Sequence, residues 1–208
     1  SGSFIQQLGI PKPYINFEVE SGTHAQQTAR IMICYEKLLM EQLSDICIVV
    51  GDVNSTMACT IVAKKMCVKV AHVEGGIRSG DLTMPEEINR IVTDSISDFF
   101  FVTTDLAVNN LEKSGVPKSN IFLVGNTMID TLHKNREKFY SPAIWGDKKL
   151  QEKKFIVLTL HRPSNVDNKG NLKLIVDQIL QNVENLPVIF PVHPRTKKQI
   201  MKLRLPYE

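Results

Sequence analysis

The sequence of 208 residues has few of the features that mark membrane, secreted or nucleic-acid-binding proteins. No apolar run approaches the about 20 residues that a helix needs to cross a bilayer. The first ten residues, SGSFIQQLGI, contain neither a basic region nor an apolar stretch, and so they do not predict a signal peptide. The net charge is only +3, which gives no reason to expect a nucleic acid or a membrane as partner. We therefore expect a cytoplasmic protein.

Cysteine is also scarce, and its spacing fits no zinc site. The four cysteines are Cys34, Cys47, Cys59 and Cys67, and no two of them form a CxxC pair. They lie in apolar stretches such as DICIVV and MACTIV. We interpret them as small buried apolar residues of a protein in a reducing compartment, and we predict no metal site.

The sequence does contain short β-branched runs that alternate with longer helical patterns. This alternation is typical of a parallel sheet covered by helices, and it predicts an α/β, doubly wound fold. Strands are predicted over residues 45–50, 68–73, 99–103, 121–124, 155–159 and 188–192. Helices are predicted over residues 21–41, 56–65, 85–97 and 107–114, from the GNTMID segment to residue 139, over 171–183, and after the last strand.

A polar, irregular stretch with Pro142 and Gly146 separates the first four predicted strands from the last two. We interpret residues 141–154 as a link, with an N-terminal domain over 1–145 and the beginning of a second domain over 146–208. Two strands do not make a stable domain in water. The second domain is therefore expected to be incomplete in this chain.

Ionisable side chains follow four of the predicted strands, at the point where each strand ends. They are Asp52, Glu74, His161 and His193. Ligands of open α/β sheets bind at the carboxyl ends of the strands. Any one of these residues could be structural, but four at equivalent positions predict one site.

The segment HVEGGIRSGDLTMPEEINR, residues 72–90, has the most specific pattern. It holds six charged residues within a short span: Glu74, Arg78, Asp81, Glu86, Glu87 and Arg90. A salt-bridged surface loop before an acidic helix start would explain some of them, since carboxylates suit a helix N-terminus. The glycines among them allow a ligand to approach the backbone closely, and they favour a binding site.

Five segments occur in a fixed order: GDVNST, HVEGGIRSGDLTMPEEINR, VGNTMIDTL, LTLHRPSNV and PVHP. Together they resemble the non-hydrolysing UDP-N-acetylglucosamine 2-epimerase family over essentially the whole chain. The resemblance implies two Rossmann-like domains in the GT-B arrangement, a site in the cleft between them, and a homodimer. It implies conversion of UDP-N-acetylglucosamine to UDP-N-acetylmannosamine without metal or nicotinamide cofactor. It also implies that a second UDP-N-acetylglucosamine molecule can act as an allosteric activator.

The same resemblance implies family segments beyond both ends of the chain. A first strand with a Gly-Thr-Arg-Pro-Glu loop would precede Ser1, and the Ser-Gly-Gly and Glu-Arg-Pro-Glu segments that hold UDP would follow Glu208. We therefore expect a chain truncated at both ends and inactive by itself. Gly75 replaces a common alanine and Ser164 a common glutamate, which leaves the subfamily open. The alternatives are a UDP-2,3-diacetamido sugar epimerase, a hydrolysing 2-epimerase and an inactive nucleotide-sugar-binding fragment.

The family motifs imply roles for ten residues. Asp52, Glu74 and Glu86 are the expected acid/base carboxylates, and His161 is expected at the UDP phosphate. The expected substrate-binding residues are Arg78, Arg90, His24, Asn126, Arg162 and His193.

Several of these motif residues have a structural alternative. Asp52 can cap the following helix, and Asn126 can cap the helix after it. We interpret Glu87 as an ion-pair partner and His72 as a core histidine whose hydrogen bonds are satisfied.

Overall fold

The computed structural model describes residues 8–160, 163–183 and 186–203, without the side chains of residues 163, 164, 169 and 195. It divides into two compact units, Ser1–Lys138 and Phe139–Glu208. The domain boundary that the sequence predicts, after residue 145, stays a prediction. Among the described residues, no helix is long and apolar enough to cross a membrane.

The first unit is built on four parallel strands in the order β1-β2-β3-β4. The strands are β1 Ile46–Val50, β2 Lys69–Val73, β3 Phe99–Val102 and β4 Ile121–Leu123. The helices are α1 His24–Glu41, α2 Asn54–Lys65, α3 Pro85–Ile96, α4 Asp105–Lys113 and α5 Thr127–Asn135. The predicted elements are confirmed, and their ends differ by a few residues.

Local sequence accounts for the helix starts. Thr23 accepts a hydrogen bond from the Gln26 amide, and the Gln26 side chain accepts one from the Thr23 amide, so α1 begins in a capping box. Pro85 opens α3, where a missing N–H costs no helical hydrogen bond. The Thr104 hydroxyl accepts from the Ala107 amide, and α4 therefore begins at Asp105, two residues before the predicted start.

The core of the first unit lies between the sheet and its helices. One cluster joins Leu39 of α1, Val62 of α2 and Val70 of β2, and another joins Phe100 to Leu111 of α4. These clusters hold the strand ends, and the loops that follow them, in fixed positions. Burial of an aliphatic or aromatic side chain contributes about 1.5–3 kcal/mol, so the sheet is well supported there.

The cysteines only partly follow the prediction. Cys47 is buried, and burial is the main cause that raises the pKa of the half-buried Cys59 thiol to about 12. Cys67 is exposed, in a turn after α2 where its φ is +62°, and the prediction that it is buried is wrong. Its apolar neighbours Met66 and Val68 lie in the same connection between α2 and β2, and there Val68 is buried while the Cys67 side chain is exposed.

The second unit contains two short parallel strands, β5 Ile156–Val157 and β6 Val188–Ile189. Its helices are α6 Ala143–Asp147, α7 Pro163–Val166, α8 Lys169–Asn182 and α9 Pro194–Leu203. Val166, Leu172 and Ile200 form its core. The predicted 141–154 link is not irregular throughout, because it contains α6, whose Trp145 packs edge-on against Phe155.

Candidate active site

A pocket of about 320 Å³ opens in the first unit, beside the turn that follows β1. It is lined by Val19, His24, Gln27, Ile31, Asp52, Val53, Asn54, Ser55, Pro85, Glu86 and Asn89. Three predicted site residues, His24, Asp52 and Glu86, therefore meet here although they come from three separate segments of the chain. We refer to this cavity as the acid pocket.

Asp52, which lines the acid pocket, is bound to Arg90, which does not. The Arg90 Nη1 donates to Asp52 Oδ2 at 2.7 Å, and the Asp52 side chain is 36% exposed. The helix-cap alternative for Asp52 is wrong, because Val53 holds the cap position of α2 and no side chain caps that helix. Asp52 is thus a carboxylate that faces solvent on one side and a guanidinium on the other.

Glu87 does not line the pocket; it is 1% exposed and accepts hydrogen bonds from one loop and from Arg90. The Ser79 and Gly80 amides donate to it at 3.0 and 3.1 Å, and Arg90 Nε donates at 2.9 Å. Burial acts to raise the pKa of the Glu87 carboxyl, but these hydrogen bonds and the Arg90 charge outweigh it and hold the pKa below its ordinary value. The prediction that Glu87 is an ion-pair partner is confirmed.

Glu74 is held in a strained backbone conformation directly after β2. Its φ is +70°, a region that non-glycine residues rarely adopt, and the Glu74 amide donates to the Phe101 carbonyl at 2.9 Å. Its carboxylate lies near Gly51, since a Cβ added to Gly51 would stand 3.7 Å from Glu74 Oε2. Within residues 8–160, 163–183 and 186–203, that carboxylate makes no hydrogen bond or ion pair. Strain of this kind, about 1–3 kcal/mol, is common at functional sites.

Glu86 is exposed at the rim of the acid pocket, one residue before Glu87. Its carboxylate likewise has no hydrogen bond or ion pair with the part of the chain that the structure describes. It stands in the first turn of α3, where the helix dipole favours a negative charge. Glu74 and Glu86 are therefore the two predicted acids without a partner among the residues described.

The side chains of Asn54 and Asn89 form hydrogen bonds between residues that line the acid pocket. Neither asparagine was predicted from the sequence. Asn89 Nδ2 donates to the Asp52 carbonyl at 2.8 Å, and Asn54 Nδ2 donates to Gln27 Oε1 at 3.0 Å. The His24 ring Nδ1 lies 3.3 Å from Asn54 Oδ1. The asparagines follow the motif residues in sequence, so their place in GDVNST and EEINR was the signal that could have found them.

Arg78 faces a different part of the unit. Its Nη1 donates to Asp94 Oδ2 at 2.6 Å, and the two residues line a second pocket that contains neither Asp52 nor Glu86. Its predicted contact with substrate stays a prediction. Asp94 is a buried carboxylate that sequence reasoning also missed, because it lies within an ordinary amphipathic helix.

His72 is fully buried in β2, as predicted for a core histidine with satisfied hydrogen bonds. Its Nδ1 lies 2.6 Å from Asp94 Oδ1 and its Nε2 lies 2.9 Å from the Gly51 carbonyl. The prediction is confirmed. The side chain connects the turn after β1 with α3.

The remaining predicted residues lie elsewhere. Asn126 Oδ1 accepts from the Met128 amide at 2.9 Å, so Asn126 caps α5, in agreement with its structural alternative. His193 is exposed just before α9, and its carbonyl accepts from the Lys197 amide. His161 and Arg162 lie outside the described residues. Substrate contacts of all four stay predictions.

The described residues contain no group of three histidine, cysteine, aspartate or glutamate side chains placed to hold a metal ion. The carboxylates in and near the acid pocket differ in whether they bind Arg90. Asp52 and Glu87 bind this arginine, while Glu74 binds no cation among the residues described. Chemically, this arrangement offers a fixed anion, Asp52, and two uncommitted acids, Glu74 and Glu86, that can exchange protons with a ligand.

Comparison with known proteins identifies the family of the chain. A family model described as UDP-N-acetylglucosamine 2-epimerase matches residues 1–206. The chain belongs to this family. The UDP-N-acetylglucosamine 2-epimerase of Methanocaldococcus jannaschii is 42% identical over 207 residues, which cover 97% of this chain and 57% of that protein. The UDP-2,3-diacetamido-2,3-dideoxy-D-glucuronate 2-epimerase of Pseudomonas aeruginosa is 38% identical, over 99% of this chain and 58% of that protein.

A solved structure supports the same family at the level of the fold. The crystal structure of the M. jannaschii UDP-GlcNAc 2-epimerase in complex with UDP-GlcNAc and UDP matches 99% of this chain with a TM-score of 0.85 and 40% identity. This epimerase-family chain spans 57% of that structure's chain. The predicted fold class is confirmed: a Rossmann-like parallel-sheet domain followed by the start of a second one, of the GT-B type.

Proposed function

We propose that the protein interconverts UDP-N-acetylglucosamine and UDP-N-acetylmannosamine. The observation that carries the proposal is the set of acids after β1 and β2 and at the start of α3. Asp52 is fixed by Arg90, whereas Glu74 and Glu86 have no partner among the described residues. A fixed anion can stabilise a positively charged sugar, and two uncommitted acids can remove a proton from it and return one. The arrangement therefore suits a reaction with both requirements.

The chemistry explains why a direct proton transfer is insufficient. The C2 hydrogen of the sugar has no carbonyl beside it and is barely acidic. In the proposed reaction the C1–O bond to UDP breaks first, and its electron pair leaves with the phosphate oxygen. The oxocarbenium-like sugar then loses its C2 proton to a carboxylate, which gives 2-acetamidoglucal and UDP. A proton added to the opposite face of C2, with return of UDP to C1, completes the epimerisation.

The proposed roles divide between carboxylates and cations. Asp52, Glu74 and Glu86 stabilise the cation and carry protons, in an order that coupled acids do not reveal individually. Arg90 orients Asp52 or contacts the sugar, and His161 contacts the UDP phosphate. The proposed substrate contacts are those of Arg78, His24, Asn126, Arg162 and His193. No metal or nicotinamide takes part in the proposed reaction.

A UDP-2,3-diacetamido sugar is the second candidate substrate. The relative named for such a substrate is 38% identical to this chain, the same identity as one UDP-N-acetylglucosamine 2-epimerase of Methanococcus maripaludis. Identity of this level therefore favours neither sugar. A hydrolysing 2-epimerase and an inactive nucleotide-sugar-binding protein are the third and fourth candidates.

The proposal extends to the assembly and to the chain by itself. The chain spans 57% of the M. jannaschii relative, so we expect the 208 residues alone to show no turnover. In a longer native form, we expect a homodimer that a second UDP-N-acetylglucosamine molecule can activate. Measurable epimerisation by the 208-residue chain would contradict the first expectation.

Product analysis in D₂O tests the reaction. The 208-residue chain and any longer native form are incubated with UDP-N-acetylglucosamine, and separately with a UDP-2,3-diacetamido sugar, and followed by NMR. With UDP-N-acetylglucosamine, we expect deuterium at C2 of an intact UDP-sugar in a longer native form and no exchange in the 208-residue chain. Free sugar and UDP would indicate hydrolysis, and no change in any form of the protein would support the inactive candidate.

Substitution of the uncommitted acids tests the site. In a longer native form, Glu74→Gln and Glu86→Gln each remove a proton carrier and should slow turnover about 10²–10⁴-fold. Glu36→Gln, at an exposed position of α1 outside the pocket lining, is the matched control and should leave the rate unchanged. Equal rates for all three variants would refute the assignment.

A further inference from the structure

The buried ring of His72 faces an acceptor on each side. Nε2 lies 2.9 Å from the Gly51 carbonyl oxygen, which can only accept, so this nitrogen carries a proton. Nδ1 lies 2.6 Å from Asp94 Oδ1. The charge of the ring therefore depends on whether Asp94 is an acceptor or a donor at that contact.

Asp94 is already committed as an acceptor at its other oxygen. The Gly76 amide donates to Asp94 Oδ2 at 3.0 Å, and Arg78 Nη1 donates to the same atom at 2.6 Å. A proton on Oδ1 would leave the Arg78 guanidinium facing a neutral acid and would lose a charge-assisted hydrogen bond. An ionised Asp94 keeps that bond and accepts from His72 as well.

We propose that His72 is a buried imidazolium and that the His72–Asp94 pair is a positioning device for the acids Asp52 and Glu74. The positioning role rests on the proposed function, whereas the charge state of the pair does not. Neither His72 nor Asp94 lines the acid pocket, so both act through the backbone.

The His72–Asp94 pair is linked to Asp52 and Glu74 by hydrogen bonds to two nearby glycines with left-handed backbone conformations. Gly51, with φ +70°, precedes Asp52; its amide donates to the Val73 carbonyl at 3.0 Å and its carbonyl accepts from His72. Both polar groups of Gly51 are thus tied to β2.

Gly76, with φ +79°, comes two residues after Glu74, and its amide is tied to Asp94. One histidine–aspartate pair therefore fixes the turn before Asp52 and the turn after Glu74. A shift of the pair would therefore displace the turns that carry both Asp52 and Glu74.

The surroundings of the ring supply one anion in direct contact. Opposite His72 in the sheet stand Val49 of β1 and Phe100 of β3, which are apolar. α3 supplies Asp94, the loop after β2 supplies Arg78, which binds Asp94, and the Glu74 carboxylate lies near Gly51. Asp94 is thus the charge that compensates a buried imidazolium.

Nitrogen-15 NMR of the 208-residue chain tests the charge state. At neutral pH we expect bonded protons on both Nδ1 and Nε2 of His72. In Asp94→Asn, the amide oxygen can still accept from Gly76 and Arg78, while its NH₂ group now faces Nδ1. The Nδ1 proton should therefore be lost and the Nε2 proton kept. An unprotonated Nδ1 in the unsubstituted chain would overturn the proposal, whatever the stability of the variant.

Carbon-13 shifts of the carboxyl groups test the positioning role. Asp94→Asn should shift the signals of both Asp52 and Glu74. Asp98→Asn is the matched control, because Asp98 also binds a cation and a backbone amide, Lys64 and Val70, but at the opposite end of β2. It should leave both signals in place. If Asp94→Asn leaves them unshifted, or if Asp98→Asn shifts them equally, the positioning role is wrong.

Kinetics in a longer native form complete the test. A loss of kcat in Asp94→Asn with little change in KM is expected, because misplaced acids slow the proton transfers more than they weaken substrate binding. Equal loss of kcat in Asp98→Asn would overturn the positioning role. Absence of turnover in the unsubstituted protein, with the expected NMR signals, would refute the proposed function and leave the imidazolium standing.

Discussion

Two neighbouring residues of one helix, Glu86 and Glu87, stand in opposite environments. Glu86 is exposed at the acid pocket and has no partner among the described residues, whereas Glu87 is buried and holds two backbone amides and Arg90. The helix turns about 100° per residue, so adjacent side chains point to different sides. One side of α3 faces the acid pocket. The other carries Glu87, Arg90 and Asp94, which form a charge network with the buried His72 and the half-buried Arg78.

The difference shows how the first unit supports uncommitted acids. A buried charge without a partner costs several kcal/mol, and each charge of the network is accordingly paired. An acid that must take up and release protons cannot be paired as firmly. The network thus bears the structural role and leaves Glu74 and Glu86 available.

The sharpest test exchanges each glutamate for alanine. Glu87→Ala removes the acceptor of two loop amides and leaves the buried Arg90 Nε without its carboxylate, and it should lower the free energy of unfolding by about 3–5 kcal/mol. Glu86→Ala should change it by no more than about 0.5 kcal/mol. Urea unfolding measures both. Similar losses in the two variants would remove the distinction between the pocket and the network.

Gly76 tests how tightly the network side is packed. A Cβ on Gly76 would stand 2.4 Å from the Ala107 carbonyl oxygen, and its φ is +79°. Steric overlap and backbone strain together should make Gly76→Ala destabilising by about 2–5 kcal/mol.

Gly115→Ala is the matched control for that substitution. Gly115 has a φ of +88° but no atom within 4 Å of the added Cβ, so only the backbone cost of about 1–2 kcal/mol applies. Thermal or urea unfolding of both variants gives the packing contribution as the difference. A Gly76→Ala variant as stable as Gly115→Ala would show that the loop after β2 can move away.

Asp52 lies between the two regions, and its substitution should have an intermediate effect. Asp52→Asn weakens the ion pair with Arg90, but the Asp52 side chain is 36% exposed and solvent screens the pair. We expect a loss of about 1 kcal/mol in urea unfolding, between those of Glu86→Ala and Glu87→Ala. A loss as large as that of Glu87→Ala would place Asp52 within the buried network.

The pH dependence of the unfolding free energy also distinguishes the charge network from the acid pocket, and it is the smallest of the expected effects. The pKa of Glu87 lies below its ordinary value of 4.5 in the folded chain. Its contribution is therefore complete well above pH 4.5 and is lost as the pH falls through the folded pKa.

Glu87→Gln removes this titration. The gap in unfolding free energy between the unsubstituted chain and Glu87→Gln should stay constant above about pH 5.5 and narrow below about pH 4.5. Glu86→Gln should show no such narrowing. A gap that widens with acid would mean that the pKa of Glu87 is raised instead.

Most of the fold follows from the sequence. The alternation of β-branched runs with helical patterns predicts the order of strands and helices through residue 135, and Pro85 and Thr23 mark helix starts through local chemistry. The residues at which the strands and helices begin and end were less well predicted. β5 and β6 span two residues each where five were expected, because hydrogen-bond partners, rather than residue type, decide where a strand stops.

The candidate site was predicted in part. Motif positions identified Asp52 and Glu86, which meet in the acid pocket, and Glu74, which lies beside Gly51. They did not reveal Asp94, since a single aspartate in an amphipathic helix looks like any solvated residue. Its role depends on β2 and the following loop bringing His72, Gly76 and Arg78 to it.

The sequence by itself determined the family, the order of elements and which residue types could perform the chemistry. Only the tertiary structure decided which carboxylates are held and which are uncommitted. Glu86 and Glu87 are identical side chains at adjacent positions, and no local pattern separates them. Burial and the nearness of Arg90 separate them, because the free energy of a charge depends on the solvent and the partners around it rather than on the residue that carries it.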